Sequence, residues 1–346
     1  MITYKEYIAL AFDPETTEEK LMEFSKVVKG DSLFDFTIAP DETKVMMSDE
    51  EQELENAMAI GNNFCRWSRK RAFNKRIKNG DKRPILVAEG DSWFQFPFII
   101  KETVDNLKDD YTIYSLGAAG DTAENMIFSE SIKKKTEYLL ALREMKARNL
   151  DIRAFLFSGA GNDIIGENAE GESSLQGIIK DFNGDKNDVV GHINFAKLHE
   201  RLSRLRLGYL KVISSIRAER GFESLPILIH GYDYVFPYPW ENDHRNPSYA
   251  KKNEWLGEPL DYRKIVDRNL RRNILKFLID QLYEMMADIA QDSVESKVYV
   301  VDCRGAMPDL GDWNDEIHGT SDGFSKVKAR FVKTLKEVQN VTEAVS

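Results

Sequence analysis

Cysteine is scarce in this chain: only two occur among 346 residues, Cys65 and Cys303, far apart in the sequence. So few cysteines give no disulfide framework and suit a reducing compartment. Long hydrophobic runs are also missing. No stretch approaches the ~20 apolar residues of a membrane span, and the N-terminus lacks a basic segment followed by an apolar core. We therefore expect a cytoplasmic protein with no integral membrane segment.

Positive charge is in deficit, with 48 Lys and Arg against 58 Asp and Glu and a formal net charge of −10. A nucleic-acid binder needs a basic footprint, so we expect no nucleic-acid partner. No two of the five histidines have helical ligand spacing, and no C-x-x-C occurs. Asn162 is followed by Asp163 and not by histidine, which argues against the paired-cation sites of metallophosphoesterases. The sequence thus predicts no metal and no cofactor.

From residue 84 onward, strand-like runs alternate with helical stretches. The strand-like runs are 85–89, 111–116, 152–157, 227–230 and 297–301. The helical stretches are roughly 100–107, 123–148, 195–220 and 262–290. Strands that alternate with helices build βαβ units. We predict an α/β fold, a doubly wound, flavodoxin-like five-stranded parallel sheet, preceded by an N-terminal helical extension.

The first of these strands ends in Gly90-Asp91-Ser92. Glycine allows a sharp turn there, which would project the Ser92 hydroxyl from the carboxyl edge of the sheet. A serine hydroxyl is a poor nucleophile unless a base activates it and an oxyanion site receives the developing charge. Ser92 is therefore a candidate nucleophile only if the rest of the chain supplies both.

A D-x-x-H pattern near the C-terminus offers the base. Asp315 and His318 are three residues apart, so on one turn the carboxylate can hold the imidazole while its far nitrogen faces a serine. Asp302 and Asp312 are close enough in sequence to orient His318 in a different register, and both remain alternatives.

Two glycine-rich segments after strands offer the oxyanion donors. They are LGAAGDT at 116–122, which contains Gly120, and SGAGND at 158–163, which contains Asn162. Glycine backbone N–H groups and an asparagine amide are the donors that stabilise a tetrahedral oxyanion.

In the order GDS, AGDT, GND and DxxH, the chain from about residue 84 resembles the SGNH hydrolases, the GDSL-type esterase and lipase superfamily. The resemblance implies a serine hydrolase that cleaves an ester or thioester through an acyl-enzyme on Ser92. It implies His318 as the general base and Asp315 as its orienting acid. It also implies the Ser92 amide, Gly120 and Asn162 as oxyanion donors.

Three positions depart from the pattern of that family. Trp93 stands where leucine usually follows the serine, Ala160 replaces a glycine of the third block, and Gly319 stands where proline is common. None of these exchanges removes a reacting group, but Trp93 and Ala160 bear on the shape of the acyl pocket.

An aromatic, proline-rich insertion at 232–260 follows the fourth strand. At a strand's carboxyl end it could form a substrate wall or lid, or an aromatic mini-core over the sheet edge. The residues expected to contact substrate are Trp93, His230, Tyr232, Tyr238 and Trp240. For His230, a structural role is the alternative. The expected substrate is an ester-containing lipid or an acylated carbohydrate.

Residues 1–83 read as a helical module separate from the hydrolase pattern at 84–346. A capping box at 16–19 precedes apolar residues at helical spacing up to Val28, with Gly30 as a stop, and a second box at 48–51 opens a long helix. The module would either pack on the catalytic domain or dock a protein partner. In the second case the chain would be a regulated effector or binding protein whose module controls or recruits the hydrolase-like domain.

Overall fold

Strands and helices alternate along most of the chain. The computed structural model describes residues 1–13, 16–29, 36–48, 60–96, 100–116, 137–165, 173–247, 250–291 and 293–345. The strands in these residues are β1 (Ile2–Thr3), β2 (Ser25–Lys29), β3 (Phe36–Pro40), β4 (Val45–Met46), β5 (Ile85–Gly90), β6 (Thr112–Ser115), β7 (Ile152–Ser158), β8 (Ile227–His230) and β9 (Val298–Val301). The helices are α1 (Tyr4–Phe12), α2 (Glu18–Met22), α3 (Ile60–Lys78), α4 (Thr103–Leu107), α5 (Glu137–Ala147), α6 (Gly161–Ile165), α7 (Ser174–Ile178), α8 (Phe195–Ala218), α9 (Gly257–Tyr262), α10 (Arg268–Ile289), α11 (Ser293–Ser296) and α12 (Ser321–Val345).

The strands β5 to β9 form one parallel sheet in the order β6-β5-β7-β8-β9. This is the doubly wound order of flavodoxin-like folds, in which the winding direction reverses between β5 and β7. The predicted α/β fold with a five-stranded parallel sheet is confirmed, and each predicted strand matches its observed bounds within one residue at either end. At the reversal point, the carboxyl ends of β5 and β7 open the crevice in which such folds place their ligands.

Helices cover both faces of this sheet, which explains why its strands read as continuous apolar runs. All residues of β5 and β8 are buried. The long helices α8 and α10 are capped by Asn194 and Asp267, whose side chains accept N–H groups of the first turn. Among the helices that the structure describes, none is long and apolar enough to cross a membrane.

Helix α3 packs against the edge of this sheet, although it precedes the predicted boundary at residue 83. Phe73 is buried in the same hydrophobic cluster as the sheet and meets Tyr114 of β6 edge-on, with ring centroids 5.1 Å apart. Arg69 forms a buried ion pair with Glu102 at 3.0 Å and donates to the carbonyl of Phe94 at 3.3 Å. Helix α3 therefore contributes to the same hydrophobic core as the sheet, and the division of the chain at residue 83 stays a prediction.

The segment before α3 is not purely helical. Thr17 caps α2 as predicted, because its side chain accepts the Lys20 N–H at 3.2 Å. The helix nevertheless ends at Met22, and the expected continuation to Val28 is instead the strand β2, which pairs antiparallel with β3. The prediction of a helix over 21–28 is wrong, because the β-branched valines of this stretch favour extended backbone and find a partner strand.

A second, smaller hydrophobic cluster lies within residues 1–47. Its buried members are Tyr4, Tyr7, Ala11, Leu21 and Val45. Gly30 and residues 49–51 of the second capping box lie outside the described residues, whereas the long helix is described from Ile60 to Lys78. The N-terminal segment thus has a small core of its own, in addition to the α3 contact with the sheet.

Candidate active site

Ser92 lies in a tight turn at the carboxyl end of β5. A Cβ on Gly90 would come within 2.6 Å of the Ser158 Cβ, so glycine is what allows the ends of β5 and β7 to approach this closely. The Asp91 N–H donates to the Ser158 carbonyl at 3.2 Å. The Asp91 carboxylate accepts the Trp93 N–H at 3.1 Å and the Ser158 hydroxyl at 2.8 Å. These bonds tie the turn that carries Ser92 to the neighbouring strand.

Ser92, His318 and Asp315 form a continuous hydrogen-bonded chain. His318 Nε2 lies 2.9 Å from Ser92 Oγ, and His318 Nδ1 lies 2.8 Å from Asp315 Oδ2. All three residues are buried. Asp315 Oδ1 also accepts the N–H groups of Ile317 at 2.8 Å and His318 at 2.7 Å. With Nδ1–H donating to the carboxylate, Nε2 is left as the acceptor for the serine hydroxyl.

The two alternative aspartates are engaged elsewhere. Asp302 pairs with Arg304 at 2.7 Å, and Asp312 pairs with Lys326 at 2.6 Å. Of the three candidates from the sequence, Asp315 is the one whose carboxylate reaches the imidazole.

The D-x-x-H segment is held as a bend by contacts at both ends and in its middle. Trp313 and Gly319 form an antiparallel bridge that closes the bend. The indole N–H of Trp93 donates to the Ile317 carbonyl at 3.0 Å. The residue that follows Ser92 therefore also fixes the backbone next to His318.

The predicted oxyanion donors are described only in part. The Ser92 N–H, one of the three, has no acceptor among the residues that the structure describes, so it can donate to a bound oxyanion. Gly120 and the side chain of Asn162 lie outside what the structure describes. Their contributions remain predictions.

Tyr232 connects the turn at Ser92 to the start of α6. Its hydroxyl donates to Asp91 Oδ2 and accepts the Gly161 N–H at 2.7 Å. Burial, reinforced by the nearby Asp91 carboxylate, raises the pKa of Tyr232 well above its ordinary value. The phenol therefore stays neutral. Its ring meets Trp93 edge-on, with centroids 5.1 Å apart.

An apolar cavity opens beside Ser92, with about 640 Å³ of atom-free space, part of it open to solvent. Trp93 and Tyr232, two of the residues expected to contact substrate, line it. Aliphatic side chains make up most of the remaining wall, among them Ile164, Leu175, Leu256, Leu275, Leu278 and Leu282. Sequence reasoning missed these residues, because an apolar stripe on α10 looks the same whether it faces a core or a cavity.

Three predicted substrate contacts lie away from the cavity wall. His230 is buried against Phe94, with ring centroids 5.0 Å apart, and its Nδ1 donates to the Gly231 carbonyl at 2.6 Å. Burial lowers the pKa of His230, so the ring is neutral. The structural alternative for His230 fits these contacts.

Tyr238 and Trp240 are the other two residues expected to contact substrate that do not line the cavity. The Tyr238 N–H donates to Glu316, and the Trp240 ring packs on Phe236 at 5.2 Å. None of the three residues is among those that line the cavity, and their contact with substrate stays a prediction. The aromatic insertion therefore packs partly on itself, while its residues Tyr232, Val235 and Leu256 line the cavity.

Glu316 is a fully buried carboxylate inside the D-x-x-H segment, and sequence reasoning missed it too. It accepts four backbone N–H groups of the 232–260 insertion at 2.6–3.0 Å, those of Tyr238, Trp255, Leu256 and Gly257. Burial raises the pKa of Glu316 to about 7, although the N–H groups act in the opposite direction. Glu316 therefore fastens the insertion to the loop that carries His318.

Among the described residues, no group of three or more His, Cys, Asp or Glu side chains is arranged to hold a metal ion.

No family model and no curated protein sequence matches this chain. Solved structures similar to it include an extracellular lipase from Streptomyces rimosus, with 12% identity over 73% of this chain and 99% of that one and a TM-score of 0.40. A carbohydrate acetylesterase family member from Sinorhizobium meliloti has 12% identity over 74% of this chain and 98% of that one, also with a TM-score of 0.40.

Proposed function

We propose that this protein is a serine hydrolase that cleaves an ester or thioester through an acyl-enzyme on Ser92. The observation that carries the proposal is the buried chain from Ser92 Oγ through His318 to Asp315, with both hydrogen bonds below 3 Å. A base in contact with the hydroxyl, itself oriented by a carboxylate, is what converts an ordinary serine into a nucleophile.

In the first half of the reaction, Ser92 Oγ attacks the carbonyl carbon while His318 Nε2 takes the hydroxyl proton. The negative charge on the carbonyl oxygen is met by the Ser92 N–H and, as the sequence predicts, by Gly120 and Asn162. His318 then gives its proton to the departing oxygen or sulfur, and the acyl group stays on Ser92. Loss of one oxyanion donor should lower turnover by roughly 10²–10³-fold.

In the second half, His318 takes a proton from water, and the resulting hydroxide attacks the acyl-enzyme. Collapse of the second tetrahedral intermediate breaks the ester bond to Ser92, whose oxygen recovers the proton from His318. The carboxylic acid leaves and the free enzyme is restored. Asp315 stays ionised throughout and stabilises the imidazolium that forms twice in the cycle.

Covalent labelling tests this proposal without knowledge of the substrate. A fluorophosphonate with a methyl group on phosphorus should label the full chain, because Ser92 Oγ displaces fluoride and passes its proton to His318. Ser92→Ala should abolish labelling. The matched control is Ser203→Ala, on the exposed face of α8, which should label at the wild-type rate. Labelling that persists in Ser92→Ala would move the nucleophile to another residue.

A further inference from the structure

The cavity beside Ser92 has an aliphatic wall without a free polar side chain in the part that the structure describes. Its polar side chains are those of Asp91, Ser92, Trp93 and Tyr232. Both Asp91 oxygens accept hydrogen bonds, one of them from Tyr232, and the Trp93 indole N–H is bonded to a backbone carbonyl. Beyond the serine hydroxyl, this wall offers dispersion contacts and little else.

Such a wall distinguishes between the two substrate types that the sequence left open. A sugar ring carries several hydroxyl groups, and burying a hydroxyl without a hydrogen-bond partner is unfavourable. A hydrocarbon chain has no such requirement and gains from leaving water. The cavity therefore suits a chain of methylene groups better than a carbohydrate.

The position of His318 decides which part of the ester enters. His318 must lie against the departing oxygen or sulfur in order to protonate it. His318 does not line the cavity, whereas Ser92, Gly161 and Ile164 do. The leaving group thus lies on the imidazole side of Ser92, and the cavity receives what remains attached to the carbonyl carbon.

We propose that this cavity is an acyl-chain subsite, and that the substrates are esters or thioesters of aliphatic acyl chains several carbons longer than acetyl. The inference rests on the proposed function of Ser92. An acetyl group would leave most of the aliphatic wall without a partner, whereas each further methylene that enters should raise kcat/KM about fourfold. Butyrate should therefore exceed acetate by roughly tenfold or more.

The first experiment measures kcat/KM of the full chain on p-nitrophenyl acetate, butyrate, hexanoate and octanoate, each below its aggregation concentration. We expect a rise from acetate that levels off when the chain fills the cavity. Because p-nitrophenolate is the leaving group throughout, the series reports the acyl side alone. A series that is flat, or that falls from acetate onward, overturns the subsite.

The second experiment obstructs the cavity from α10. Leu278 lines the cavity, and Asn273 on the same helix is exposed. Leu278→Trp should lower the octanoate-to-acetate ratio of kcat/KM about tenfold or more, since two or more methylenes lose their place. Asn273→Trp should leave the ratio unchanged. If Leu278→Trp does not fold, Leu278→Phe makes the same test with a smaller ring. An unchanged ratio in a folded Leu278 variant overturns the assignment of this wall.

Fluorophosphonates separate failure of the subsite from failure of the proposed function. The group on phosphorus takes the place of the acyl chain, so an octyl group should label Ser92 faster than a methyl group. If neither reagent labels Ser92, the proposed function fails. If both label it at the same rate, Ser92 is an activated nucleophile and the acyl-chain subsite alone is wrong.

Discussion

The two sides of Ser92 are built differently. On the His318 side, hydrogen bonds connect Ser92 through His318 to Asp315, and the neighbouring Glu316 accepts backbone N–H groups of the 232–260 insertion, such as that of Trp255. On the cavity side, most of the described wall is aliphatic and has no hydrogen bond to offer. This difference suggests separate roles for the two sides. In the proposed reaction, the His318 side would hold the reacting atoms in place by hydrogen bonds, and the cavity side would hold an acyl chain by packing alone.

The aromatic insertion at 232–260 makes most of its contacts on the His318 side of Ser92 and fewer on the cavity side. Arg245 donates to the Asp315 carbonyl at 2.8 Å, and the Trp255 ring meets His318 edge-on at 5.7 Å. Phe96 also packs against the imidazole, with ring centroids 4.3 Å apart. The insertion therefore braces the histidine loop, while residues such as Leu256 reach the cavity wall.

On the His318 side of Ser92, the largest loss of turnover is expected from Asp315→Asn. An amide in place of the carboxylate no longer favours the tautomer with Nδ1–H, so His318 cannot accept the Ser92 proton. Turnover of p-nitrophenyl butyrate should fall about 10⁴-fold, the magnitude known for the equivalent change in a serine protease. Asp302→Asn is the matched control, because its carboxylate pairs with Arg304 near the surface, and it should stay near wild type. A greater loss in the control would require a different orienting acid.

A smaller effect is expected from Glu316→Gln. An amide NH₂ cannot accept the N–H groups that now meet one carboxylate oxygen, and a buried unpaired donor costs about 1–3 kcal/mol. The free energy of unfolding in urea should fall by that amount, with a parallel loss of kcat as the histidine loop loosens. Glu258→Gln, exposed at the start of α9, should change neither quantity. A stable variant with wild-type kcat would show that the insertion does not need this carboxylate.

The difference in unfolding free energy between wild type and Glu316→Gln should depend on pH, and the direction of that dependence follows from the pKa of Glu316. Burial raises the pKa of Glu316 in the folded chain to about 7, from 4.5. The folded state therefore binds this proton more tightly than the unfolded state. The resulting stabilisation is complete below about pH 4.5 and is lost as the pH rises through 7. The difference in unfolding free energy between wild type and Glu316→Gln should accordingly shrink from pH 5 to pH 8. A difference that grows over this range would indicate that the four N–H groups hold the carboxylate ionised.

The sequence could predict the parts of the site that are local in the chain. Ser92 follows directly on a strand, and Asp315 and His318 meet across a single bend, so short motifs were sufficient to find them. Glu316 and Leu278 carry no such signal. Their roles depend on contacts with segments roughly 60–80 residues away or more, such as the Tyr238 N–H that Glu316 accepts. Spacing within one element does not encode those contacts.

Contacts between separate segments also explain why the helix predicted over 21–28 is wrong. The apolar spacing from Leu21 to Val28 fits a helix, but β3 supplies a partner strand for β2. Some predictions concern properties that the fold does not test. The cytoplasmic location, a protein partner for residues 1–83 and the effector alternative remain predictions. So do the oxyanion roles of Gly120 and Asn162.

The smallest effect is expected where the two sides meet, at Tyr232. Its ring lines the cavity, while its hydroxyl joins Asp91 to the Gly161 N–H. Tyr232→Phe keeps the ring and removes the hydroxyl. The cavity wall is then unchanged, but the turn that carries Ser92 loses the hydrogen bond between Tyr232 and Asp91. We expect kcat on acetate and octanoate esters to fall by the same factor, roughly tenfold or less, as for the net contribution of one typical hydrogen bond. Tyr234→Phe, whose hydroxyl bonds Asp280 at 2.7 Å, is the matched control and should leave both rates unchanged. A loss confined to the octanoate ester would mean that the hydroxyl shapes the chain-binding side, and the division between the two sides of Ser92 would not hold at this residue.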